Sequence, residues 1–64
     1  MIIRTFSEDD GIQVAGLLIR SGIYFSARGQ ERGEWEFQCE PSHPDKLEFD
    51  LAETVFDLMP TVEE

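Results

Sequence analysis

One cysteine, one histidine and five basic residues are all that 64 positions hold, and each scarcity removes a class of explanation. With Cys39 alone, no disulfide can close within the chain. Cys39 and His43 together fall short of the four ligands that a closed zinc site requires. Domains of this size need such a staple, an oligomeric contact or very regular packing, so packing remains, aided by self-association. A lone cysteine also fits a reducing compartment. Long apolar runs are missing too. Met1-Ile2-Ile3 is broken by Arg4 and then by Ser7-Glu8-Asp9-Asp10, so no signal peptide is read. The longest uncharged stretch, Gly11 to Ile19, is too short to cross a bilayer. A cytoplasmic protein is the expectation.

What the chain has in excess is carboxylate. Fourteen Asp and Glu against five Lys and Arg give a net charge of −9. Such a field repels nucleic acid and anionic membranes and steers the protein towards basic surfaces. The chain is nonetheless no disordered acidic tail. Hydrophobic residues make up 41%, and Trp35, Tyr24 and five Phe are spread along it, enough for one core. Residues 1–60 are expected to form a single acidic domain and 61–64 a frayed tail.

Met1 to Phe6 reads as a short strand. Ser7 then caps a helix whose first turn holds Glu8, Asp9 and Asp10, where the helix dipole favours anions. Ile12, Ala15, Leu18 and Ile19 recur at helical spacing, joined by Val14 and Leu17. Arg20 closes the helix, Gly22 suits a left-handed C′ position, and Ile23 can fold back on Leu18. Alternation of Ile23, Phe25 and Ala27 with Tyr24, Ser26 and Arg28 predicts a strand. A turn over Gln30-Glu31-Arg32-Gly33 leads to the clearest strand. There Trp35, Phe37 and Cys39 face inward and Glu34, Glu36, Gln38 and Glu40 outward, completing a hairpin. Pro41 and Pro44 break the ladder. Beyond them two readings stand. Lys46-Leu47-Glu48-Phe49 alternates like a further strand, with Asp50 and Glu53 opening a helix that carries Leu51, Val55, Leu58 and Met59. Alternatively one helix runs from Pro44 to Met59. The expectation is an α+β fold, β-α-β-β-β-α or β-α-β-β-α. In either order helices cover one face of a small antiparallel-rich sheet and the other face stays open.

Catalytic signatures are missing: no nucleophile motif, phosphate-binding loop or Gly-rich dinucleotide turn occurs. His43 could activate Cys39 only if the thiol left the core. The acidic runs lack the alternating ligands of a calcium loop. A binding protein, without enzyme activity, cofactor or metal, is the expectation. Trp35 reads as core rather than contact, because it alternates with Glu34 and Glu36.

The binding surface proposed from sequence is an acidic sheet face of Glu34, Glu36 and Glu40, joined by Glu48 and Asp50 if Lys46 to Phe49 pairs alongside. Alternate strand residues stand about 6.8 Å apart, near the spacing of phosphates along a nucleic-acid strand. Each such pair repels by about 0.6 kcal/mol in water, which a small domain tolerates. By size, charge and the acid-edged hairpin Gly33-Glu34-Trp35-Glu36-Phe37-Gln38-Cys39-Glu40, the chain resembles the small phage-encoded DNA-mimic inhibitors, anti-CRISPR proteins among them. That resemblance implies a non-enzymatic inhibitor of a basic nucleic-acid-binding protein or complex. It would act in a bacterial host cytoplasm as a monomer or weak dimer, touching neither nucleic acid nor membrane. The alternative is a small regulatory or adaptor domain that binds a protein through its sheet edge or helix.

Overall fold

Ile2–Thr5 form the first strand, β1, and its alternation sorts the two faces of the sheet: Ile3 and Thr5 are buried, Ile2 and Arg4 half-buried. In the computed structural model, which spans residues 1–64, β1 lies between two antiparallel neighbours. The order is β1, α1 (Glu8–Arg20), β2 (Phe25–Gly29), a single 3-10 turn (Glu31–Gly33), β3 (Trp35–Cys39), α2 (Pro44–Glu53) and β4 (Thr61–Glu63). The strands line up as β2-β3-β1-β4. This α+β arrangement has the strand order of the split β-α-β, or ferredoxin-like, topology, which hosts many unrelated functions and selects none.

Local chemistry sets the first helix. Ser7 Oγ accepts the Asp10 N–H at 3.2 Å, the N-cap bond expected of it. At the other end Ile23 N–H reaches Leu18 O at 3.0 Å and Gly22 N–H reaches Ile19 O at 3.1 Å. With Gly22 at φ 69°, these two bonds complete a Schellman motif. The core joins Ile3, Phe37 and Cys39 of the sheet to Val14, Leu17 and Leu18 of α1 and Leu47 and Leu51 of α2. Both helices therefore cover one face. Ile12 and Ile19, expected within the apolar stripe, lie outside it: α1 turns Asp10, Gly11, Val14, Leu17 and Leu18 inward.

Three expectations for the C-terminal third are corrected. Lys46–Phe49 is not a strand but the first half of α2, which begins with Pro44 in its first turn, so the single-helix reading is the nearer one. Two buried residues at i, i+4, Leu47 and Leu51, anchor that helix, whereas a strand would have split them between faces. Asp50 consequently opens no helix; it lies inside one. The helix also stops at Glu53 rather than Met59, with Thr54 already extended at φ −82°, ψ 145°. Amides that a longer helix would have used, those of Asp57 and Leu58, instead donate to the Asp10 carboxylate at 3.1 and 3.3 Å. Finally, Thr61–Glu63 is no frayed tail. It pairs with β1, Arg4 opposite Thr61 and Ile2 opposite Glu63, which makes the order β-α-β-β-α-β.

Candidate functional site

The five carboxylates expected to share one acidic face are dispersed. The neighbours of β3 are β2 and β1, so Glu48 and Asp50 of α2 lie on the helical side, away from Glu36. Glu34 and Glu40 flank opposite ends of β3, about 20 Å apart at the rise of an extended chain. Glu36 does face the open side, but Arg4 stands opposite it on β1 and Arg28 opposite it on β2. Arg4 Nε is 3.3 Å from the Glu36 carboxylate, and the same guanidinium binds Glu63 of β4. These two carboxylates push the Arg4 pKa up, Glu63 more than Glu36. The open sheet face is thus a mixed, internally compensated surface rather than a row of bare charges.

Two of the five meet elsewhere. An open groove of about 920 Å³ at the Cys39 end of the sheet is bordered by Tyr24, Glu40, His43, Lys46 and Asp50. Lys46 Nζ lies 3.3 Å from Asp50, so that carboxylate is compensated, whereas Glu40 has no ion pair. Cys39 lies beneath, buried, and that burial pushes its thiol pKa up against the opposing pull of the N-terminal ammonium. A thiol held protonated is a poor nucleophile.

Uncompensated negative charge gathers at the margin between α2 and β4. The Glu48 carboxyl is raised above the usual carboxylate range, first by a hydrogen bond with Glu64, then by the charge of Glu64, with a smaller contribution from Asp45. The sequence leaves Glu48 on either a strand or a helix, counts it towards the acidic face only as a strand residue, and singles out neither Asp45 nor Glu64. The signal was there in the helical spacing Asp45–Glu48, which puts both on one side of α2.

A second surface has the opposite character. From Gly11 to Gln30 the chain carries two arginines and no carboxylate, so all fourteen acids lie in the other 44 residues. That segment builds α1 beyond its first turn and the edge strand β2. Three of its large apolar side chains are exposed: Ile12 by 63%, Ile19 by 68% and Tyr24 by 95%. None of the five residues of β2 is buried. A mainly apolar groove of about 190 Å³ runs between α1 and β2, lined by Gly11, Ile12, Ala15, Ala27, Trp35 and Phe37, with Glu8 as its one carboxylate. Trp35, expected in the core, is half-buried and packs against it. Its indole lies between Gly11 of α1 and Gly29 of β2, 3.0 and 3.5 Å from where their Cβ atoms would be. Exposed apolar side chains beside an unpaired strand edge mark interaction surfaces.

No family model, curated protein or solved structure matches this chain. The site must be read from its own geometry. No group of three or more His, Cys, Asp or Glu side chains is placed to hold a metal ion, and no helix is long and apolar enough to cross a membrane.

Proposed function

We propose that this chain is a non-enzymatic binding protein that sets its acidic α2–β4 margin against a basic, nucleic-acid-binding surface of a partner protein, an inhibitor that stands in for phosphate charge. The observation that supports the reading is the placement of Glu48 beside Glu64 and Asp45, with the Glu48 carboxyl raised first by its hydrogen bond with Glu64 and then by the charge of Glu64. Repulsion among exposed carboxylates is relieved when lysines or arginines of a partner come between them, so binding gains what the free protein gives up. This moves the charge-mimic surface from the β3 row to α2 and β4. Host and partner in this reading are those of the phage-encoded inhibitors that the composition resembles. The test is capture of partners from bacterial lysate at low and high salt, with a nucleic-acid competitor. Asp45→Lys, Glu48→Lys and Glu64→Lys together should abolish capture. Retained capture with no competition from nucleic acid overturns the reading.

The adaptor alternative has its own support in the exposed Ile12, Ile19 and Tyr24 beside the open edge of β2. A partner held there is insensitive to salt, because apolar contact rather than charge holds it. Photocrosslinkers placed at Ile19 and at Glu53 separate the two surfaces by which one yields adducts.

A further inference from the structure

We infer that the face formed by α1 and the free edge of β2 is covered by a second copy of this chain, the two β2 strands pairing antiparallel about Ala27. The inference does not depend on the acidic-margin reading, since it takes from those residues only their charge and not any partner bound to them; it names the occupant of the face that the adaptor alternative leaves open.

Charge selects the surface. Two chains of net charge −9 repel wherever their carboxylates meet. The sheet has two free edges, β2 and β4. Edge β4 carries Glu63 and is continued by Glu64. Edge β2 belongs to the acid-free Gly11–Gln30 segment, so pairing there keeps the acidic margins of both copies at the far ends of the joined sheet.

The side chains of β2 fit their own two-fold image. Pairing about Ala27 sets the small Ala27 opposite itself, Ser26 opposite Arg28 and Phe25 opposite Gly29, so no like charges face each other and the largest side chain meets the smallest. Pairing about Arg28 would oppose two guanidiniums. Phe25, Ala27 and Gly29 share the helix-bearing face with their β3 partners Cys39, Phe37 and Trp35. The Trp35 indole lies 3.5–3.7 Å from the Cβ position of Gly29, reaching towards the sheet edge. Phe25 of the second copy therefore arrives on the outer side of Gly29, beside that indole, at the mouth of the groove lined by Ile12, Ala15 and Ala27. Aromatic packing of this kind adds to simple burial. A core of eight buried apolar residues is small for a free-standing domain, and isologous two-fold pairing is the commonest way to enlarge one.

The experiment is sedimentation equilibrium of the full chain across a wide concentration range, with emission from Trp35, the sole tryptophan, followed in parallel. The expected result is twice the 7.4 kDa chain mass at high concentration, with emission shifting to the red as dilution separates the copies. Ala27→Glu and Ala27→Lys should each give a folded monomer, checked by circular dichroism, and an equimolar mixture of the two should restore the dimer. That rescue is expected only if residue 27 faces its own copy. A wild-type mass of 7.4 kDa at every concentration, with constant emission, overturns the inference. So does a charged variant that self-associates like the wild type, or a folded mixture that stays monomeric. If the wild type is monomeric and a crosslinker at Ile19 traps a different protein, the inference fails while the adaptor reading stands.

Discussion

The buried carboxylate of Asp10 takes its hydrogen bonds from the far end of the chain: Oδ1 accepts the Asp57 N–H at 3.1 Å and Oδ2 the Leu58 N–H at 3.3 Å. Asp10 also donates its own amide to Ser7 Oγ. One residue thus ties the start of α1 to the loop that delivers β4 to the sheet. It lies in the first helical turn, where the dipole favours a negative charge.

Replacing Asp10 by alanine removes both acceptors and leaves two loop amides to find water. Bonds to a charged group contribute about 1.5–3 kcal/mol, and the expected loss of stability is of that order. Asp10→Asn keeps one acceptor and should lose less. Hydrogen exchange should quicken first at Asp57, Leu58 and Thr61–Glu63, ahead of α1. Uniform quickening across the molecule would show that Asp10 holds the whole fold rather than this strap.

Two glycines of α1 give opposite expectations. A Cβ on Gly11 would sit 3.0 Å from Trp35 Cδ1 and 3.4 Å from Thr5 Oγ1, whereas one on Gly16 would meet only the mobile Arg20 guanidinium at 3.3 Å. Alanine in a helix interior gains about 1 kcal/mol over glycine. Gly16→Ala should therefore stabilise by up to that amount. In Gly11→Ala overpacking of about 1–3 kcal/mol cancels or reverses the gain and displaces the indole. Urea unfolding followed by Trp35 emission reads both effects.

The legible parts of this fold were those specified by neighbouring residues. Ser7, Gly22 and Ile23 mark the ends of α1 by local hydrogen bonding, and the Trp35–Cys39 alternation gives its strand directly. What stayed hidden depends on contacts distant in sequence. Lys46–Phe49 satisfies both a strand and a helix pattern, and the choice falls to helix because Leu47 and Leu51 reach one core. The end of α2 depends on Asp10, more than forty residues away, and β4 is too short to announce itself before β1 receives it. The acidic site failed for the same reason: Glu36 was read without Arg4, its cross-strand partner, and Glu48 without Glu64. The face without acids was visible in the sequence as the gap in carboxylates from Gly11 to Gln30.

Arg4 bridges Glu36 of β3 and Glu63 of β4 across the central strand. All three side chains are partly exposed, which limits such pairs to about 0–1 kcal/mol each. Arg4→Gln should accordingly destabilise only slightly, with the difference fading as salt rises. Its local signature should be faster exchange of β4 amides while β3 is unchanged. A salt-independent loss well above that size would mean that the aliphatic stem of Arg4, half-buried on the sheet, is what stabilises.

The acidic margin makes a prediction about pH. The Glu48 carboxyl is raised in the folded protein by its hydrogen bond with Glu64, then by the charge of Glu64, with smaller contributions from desolvation and from Asp45. A group with a higher pKa folded than unfolded holds its proton more tightly when folded. Its stabilising contribution is therefore present below the ordinary carboxylate value and lost as pH rises through the raised one. At neutral pH the pair is a source of strain. Glu48→Gln should thus raise the Tm at pH 7, with the advantage over wild type shrinking as pH falls into the carboxylate range and also as salt is added. A variant less stable than wild type at pH 7 would mean that Glu48 makes a favourable contact and that the margin is not crowded. The same shift bears on binding. A basic partner surface that relieves the crowding lowers the Glu48 pKa, so complex formation at a pH within the range where free Glu48 titrates should release protons. Calorimetry in buffers of different ionisation enthalpy measures that release directly, and Glu48→Gln should abolish it while leaving the fold intact.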